Sequence, residues 1–141
     1  MALPLVSPVS VVDSIADAME EAARAAGIRH VAVARVDGLV IAHNLPSADL
    51  AKLLAAMSAA IVGTAQMAAT DLRQGTFQEA SVKADGGRMT CLRAGDQAIV
   101  AGLSPADANE GLVLMALRRL AARVDSAIGR LEASIRGEPE A

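Results

Sequence analysis

The side chains able to carry out chemistry are few and scattered. His30 and His43 are the two histidines and Cys91 is the one cysteine of the 141 residues. A zinc site needs three or four clustered nitrogen, sulfur or carboxylate ligands. These three residues stand far apart, without grouped carboxylates, so no metal site is expected. A nucleophilic thiol needs a positioned base. Cys91 instead shares a strand face with Met89 and Arg93, which reads as a buried structural thiol, and one cysteine forms no internal disulfide. Asp37 and Asp96 each adjoin a glycine (Asp37-Gly38, Gly95-Asp96), which is turn chemistry rather than a general acid–base pair. Gly86-Gly87-Arg88 is glycine-rich, but Gly-x-x-x-x-Gly-Lys-Ser/Thr and Gly-x-Gly-x-x-Gly are both missing. The residues therefore predict no catalytic site, no cofactor and no metal; the chain is not an enzyme and not itself a GTPase.

Charge narrows the partners. Thirteen Lys and Arg stand against sixteen Asp and Glu, a formal net charge of −3. Nucleic-acid binding rests on neutralising phosphates with a basic surface, so no nucleic-acid partner is expected. Arg119, Arg123 and Arg130 lie along one edge of the last predicted helix. They could meet an acidic partner or phosphate, or form a solvated flank with Asp125 and Glu132 nearby. Met1 to Val9 has neither a basic start nor a long apolar run. The expectation is a soluble, cytoplasmic protein.

The elements that must position these residues follow from pattern and punctuation. Ser10-Val11-Val12-Asp13 reads as a helix start, Ile15, Met19, Ala22 and Ala26 as its buried face, and Gly27 as its stop. Ile28 to Val36 and Leu39 to His43 form a hairpin over Asp37-Gly38, whose two turn positions are both expected at φ > 0. Ser47 opens a long helix to about Arg73, stopped by Gly75. Thr76 to Lys83, Arg88 to Arg93 and Gln97 to Leu103 follow as strands. Ser104-Pro105-Ala106-Asp107 reads as the last helix start, with Val113, Leu117, Leu120, Val124, Leu131 and Ile135 as its buried stripe. Residues 1–10 and 136–141 are expected as short flexible termini. The order predicts an α+β fold: one domain over 11–135, with a five-stranded, mostly antiparallel sheet, a long middle helix and flanking N- and C-terminal helices.

The middle helix is the most informative segment. From Leu53 to Thr70 no residue is charged, a run near the lower length for crossing a bilayer. Its small and polar residues and its patterning point to a packed helix instead, without membrane insertion. At 100° per residue, Leu50, Leu54, Met57, Ile61, Ala65, Ala68 and Leu72 share a face expected to cover the sheet. The opposite face carries Lys52, Ala55, Ala56, Ala59, Gly63, Gln66 and Thr70. Ala55, Ala59 and Gly63 recur every four residues, which would let a second helix approach closely. The other reading is an alanine-rich solvent face chosen for helix propensity. An uncharged surface helix of this length invites aggregation unless covered, which favours an interface.

In this order the elements resemble the roadblock/dynein light chain family, with its MglB-like and Ragulator-subunit-like domains. Val31 to Ala42 is similar to the family's first hairpin, an apolar strand, Asp-Gly, then Leu39-Val40-Ile41-Ala42. Ala51 to Ala69 is similar to its small-residue helix. Gly102 to Leu112 resembles the passage from last strand to last helix, with Asn109, Gly111-Leu112 and then Arg118-Arg119. The resemblance spans 11–135 and implies a roadblock/profilin-like sandwich. It also implies a homodimer, or a heterodimer with a paralogue, with a sheet continuous across two chains and middle helices side by side. The partner it implies is a Ras-like small GTPase, bound by a non-catalytic platform that activates or co-regulates it. An adaptor bridging partners without affecting hydrolysis is the alternative. A small-molecule sensor is disfavoured by the single aromatic residue, Phe77.

Overall fold

The computed structural model describes residues 8–137. Three helices and five strands follow in the order α1 (Pro8–Ala26), β1 (His30–Arg35), β2 (Val40–His43), α2 (Ala48–Asp71), β3 (Ala80–Ala84), β4 (Gly87–Ala94), β5 (Ala98–Ser104) and α3 (Glu110–Ile135). The strands form one sheet in the order β2-β1-β5-β4-β3, and every neighbouring pair is antiparallel. This is the α+β architecture expected from the sequence.

Alternation along the strands divides the core into two layers. Val31 and Val33 of β1, Leu92 and Ala94 of β4 and Ala98 and Val100 of β5 face α1 and α3, where Val11, Ile15, Met19, Val113, Leu117, Leu120 and Val124 meet them. Ala32, Cys91, Ile99 and Ala101 point to the other side, toward Leu54 and Val62 of α2. Gly102 sits under Leu117 and Ile28, where an added Cβ would stand 3.2–3.3 Å from their side chains. The absence of a side chain there lets α3 approach β5.

Several boundaries differ from expectation. α1 begins at Pro8, so Ser10 lies inside it. Proline costs little in a first turn, where its missing N–H would be unpaired anyway. The expected flexible termini fall mainly on 1–7 and 138–141, which lie outside the described residues; 8–10 are helical and 136–137 form a turn. β3 starts at Ala80 rather than Thr76. The last helix starts at Glu110, not after Ser104: Asn109 is its N-cap, its side chain accepting from the Leu112 N–H at 3.0 Å. Ser104 is held in β5, opposite Arg88. Ile135 of the expected stripe is 77% exposed, and Leu131 is half-buried.

The first hairpin also differs. Gly38 has φ +92°, but Asp37 does not have positive φ. The Gly38 N–H donates to the Arg35 carbonyl at 2.9 Å and the Arg35 N–H to the Leu39 carbonyl at 2.8 Å. Three residues make the loop, with a left-handed glycine last; a separate irregularity lies farther along the ladder, between Val33 and Ala34. That is the three-residue hairpin geometry, which needs one positive φ rather than two. Middle-helix termination shifts as well: Arg73 takes φ +55° just past Leu72, the C-cap.

Candidate partner-binding face

The middle helix packs on the sheet through Ala51, Leu54, Ala55, Ser58 and Val62. This corrects the face assignment. The buried stripe is rotated by a little under a quarter-turn, about 70–80° at 100° per residue, from the predicted Leu50–Leu72 face. Leu50, Met57, Ala68 and Leu72 are exposed. Ala55, expected on an outward interface, is 1% exposed and belongs to the chain's own packing. Ala59 is half-buried, and both Ala59 and Ala56 lie beneath the first hairpin, where a Cβ on Gly38 would stand 3.5 Å from the Ala56 Cα and 3.7 Å from the Ala59 Cβ. Part of the small-residue pattern therefore serves an intramolecular contact, the seating of a tight turn on α2. Lys52, Ala56, Gly63 and Thr70 are exposed, and Gln66 is half-buried.

The rotation has a physical consequence. Small residues go inward and large apolar ones are left outward: Leu53 and Met57 are each 53% exposed, and Met67 is more exposed still. An eighteen-residue window of α2 has a mean hydropathy of 1.5, and only 22% of it is buried. By length and composition it could cross a bilayer, but one face of it is seated on the sheet.

Below the N-terminal half of α2 the same side of the sheet stays open. His30 is paired in register with Leu103, Leu103 with Met89, and Met89 with Val82. These four residues make one cross-strand row running from β1 to β3. A cavity of about 270 Å³ lies between this row and α2, walled by Leu45, Pro46, Leu50, Leu53 and Met57. A second, of about 380 Å³, continues from His30, Met89 and Leu103 to Val82, Ala84, Arg29 and Arg88. Together they form an apolar shelf that ends at β3, whose outer edge has no strand partner among the described residues. Sequence reasoning missed this row, because alternation shows which residues share a face but not the register that aligns them across four strands.

The histidine of the shelf, His30, stands where its two cavities meet. Its ring is half-buried, and its Nδ1 is buried without a hydrogen-bond partner among the described residues. His43, by contrast, accepts from the Leu45 N–H at Nδ1, at 3.0 Å. Arg88, in the second cavity, pairs with Glu110 at the start of α3.

The three arginines singled out by the sequence lie elsewhere, on α3 across the sheet from α2. Arg119 is exposed at a shallow groove between α1 and α3. Arg123 lines the same groove and pairs with Glu21 of α1. Arg130 is half-buried. The structure does not bring them together with the α2 residues, so they form a separate surface. Arg118 pairs with Glu79 at 3.3 Å.

Chemistry is sparse among the described residues. No group of three or more His, Cys, Asp or Glu is placed to hold a metal. Cys91 is buried, and burial pushes its thiol up to about 11. Asp37 accepts from Arg35 at 2.7 Å, within the first hairpin. Asp85 and Gly86 form the β3–β4 turn and Gly87 begins β4, where a Cβ on Gly87 would stand 2.5 Å from the Ser104 carbonyl oxygen. Close strand approach explains that glycine.

Comparison with known proteins places this architecture. The chain is 33% identical over 98 residues to the uncharacterized protein MJ1340 of Methanocaldococcus jannaschii, covering 70% of this chain and 85% of that protein. The uncharacterized protein MJ0310 of the same organism matches to the same extent. Among solved structures, MglB with tetrameric arrangement superposes with a TM-score of 0.78 at 22% identity, covering 94% of this chain and 96% of that one. The gliding protein MglB from Thermus thermophilus superposes at 0.76 and 22% identity, covering 89% and 94%. A Roadblock/LC7 domain from Streptomyces avermitilis reaches 0.75 at 18% identity, covering 79% and 95%. The Roadblock/LC7 domain model matches residues 15–103, and the chain belongs to that family.

Proposed function

We propose that this chain is a non-catalytic, dimeric platform of the cytoplasm that binds and regulates a Ras-like small GTPase. The observation that carries the reading is the open apolar shelf. An uncovered α2 face, a bare cross-strand row and an unpaired β3 edge lie on one side of one molecule. Apolar patches of this kind are costly in water unless they are an interface, and an unpaired edge is a template for another strand. A second copy supplies both complements at once, α2 to the shelf and β3 to the edge. Lys52, Ala56, Gly63, Gln66 and Thr70 flank that contact, while Ala55 and Ala59 support α2 from beneath. Arg119 and Arg123, on α3, offer a second contact surface to an acidic partner.

The family supports a regulatory role, and one superposing MglB structure is described in a tetrameric arrangement. A platform regulates by holding one nucleotide-dependent state better than another. An adaptor that bridges partners without altering hydrolysis would use the same surface; GTP turnover measured with and without this protein separates the two.

Met57→Glu tests the platform. Met57 is half-exposed in the single chain, so the fold should persist, while a dimer would have to bury the new carboxylate. Removing a charge from water without a partner costs several kcal/mol. Light scattering should show a folded monomer, and binding to the GTP-loaded GTPase should fall with it. Val9→Glu, exposed near the start of α1 and away from both surfaces, should change neither. A monomeric Met57→Glu chain that bound the GTPase with unchanged affinity would sink the composite-platform mechanism.

A further inference from the structure

We propose that His30 makes closure of the shelf by a second copy acid-sensitive. The inference rests on the dimer reading above and adds its regulation. His30 begins the cross-strand row, and the residues around it are apolar: Leu45, Pro46, Leu50, Leu54, Met89 and Leu103. Its Nδ1 is buried and unpaired. A neutral imidazole tolerates this, because one ring nitrogen carries no hydrogen. A protonated one carries two N–H groups, and both need acceptors.

The surrounding charges offer none. β1 is preceded by Arg29 and β4 contributes Arg88, both cations, and among the described residues no aspartate or glutamate lines either cavity. Glu110, at the start of α3, is engaged with Arg88, and Asp85 of the β3–β4 turn does not line either cavity. On β2, His43 has its Nδ1 bonded to the Leu45 N–H. Asp49 and Lys52 of α2 are exposed and do not line the shelf. The α2 of a second copy brings no charged residue between Leu53 and Thr70.

In the single chain the half-buried ring can turn a charged N–H toward water across the open shelf. Under a second copy it cannot. Histidine is the side chain that changes charge between pH 5 and 8. The closed state binds fewer protons than the open one, so lowering pH drives opening. The sign is that of a base whose charged form the closed state disfavours: acid weakens association and its removal restores it.

Sedimentation of the full chain at about pH 8 and about pH 5.5, near the two ends of the interval over which histidine changes charge, tests this, with circular dichroism confirming the fold at both. The wild type should be dimeric at the higher pH, with its dissociation constant raised roughly tenfold or more at the lower. His30→Gln, neutral throughout, should dimerise equally at both, and His43→Gln should keep the wild-type dependence. A wild-type dimer insensitive to pH, or a His30→Gln dimer still lost in acid, overturns the proposal. A chain already monomeric at the higher pH overturns the dimer reading itself, and the switch with it.

Discussion

Cys91 shows how burial decides the chemistry of a single residue. It lies between α2 and the sheet, and desolvation raises its thiol from 9.0 to about 11. The thiolate is the reactive form, so at about pH 8 the native chain should alkylate at roughly a hundredth of the unfolded rate, the ratio set by those two values. Iodoacetamide labelling followed by mass spectrometry, with and without urea, measures this; equal rates would contradict the burial. The same shift fixes a stability trend. The folded pKa is raised, so the contribution is whole below about pH 9 and erodes as pH climbs toward 11. Cys91→Ala should remove that part of the alkaline loss. Nothing in the sequence around Cys91 distinguished a buried thiol from a reactive one except the missing base.

At the level of elements, α2 and α3 show how capping and packing divide the work. Ser47 accepts from the Leu50 N–H at 3.1 Å and opens α2 where the sequence placed it. Asn109 does the same for α3, five residues beyond the predicted Ser104 start. Asn109→Ala should lower stability by about 1 kcal/mol, with Asn109→Asp retaining most of it; urea denaturation checks both. Local signals favoured Ser104-Pro105 as a helix start, but pairing with Arg88 claimed Ser104 for β5 first. The orientation of α2 was harder to read. A helix apolar almost all round has no preferred side in its own pattern, so the strands beneath chose Ala51, Ala55, Ser58 and Val62. The hairpin at Gly38 then took up Ala56 and Ala59 from the other flank.

At the scale of the whole molecule, one sheet carries two unequal layers. The α1–α3 layer is filled by Ile15, Val31, Val33, Val100, Leu117, Leu120 and Val124, all with almost no exposed surface. The α2 layer is thinner and partly open. α3 lies outside the stretch matched to the family model, yet it closes the first layer. A chain ending at Ser104 would expose Val31, Val33, Leu92 and Val100 to water at about 25 cal/mol per Å² of apolar surface. Marginal net stability cannot absorb that loss, so the shortened chain should be insoluble or unfolded by circular dichroism. A cooperative melt from residues 1–104 would refute α3's place in the core.

Helices, strands and hairpins were legible from the sequence because their causes are local: a period of about 3.6 or 2, glycine at a left-handed turn, an oxygen at a helix start. The antiparallel sheet followed from chain order, since hairpins and one long helix link the strands. The tertiary structure alone decided which side of α2 is buried, that β3 forms an edge, and that His30, Leu103, Met89 and Val82 fall in one row. Those depend on register and on competition among surfaces distant in the chain, where a shift of one residue reverses the face a side chain occupies. The shelf is a product of that competition: the sequence held its residues, and packing left them uncovered.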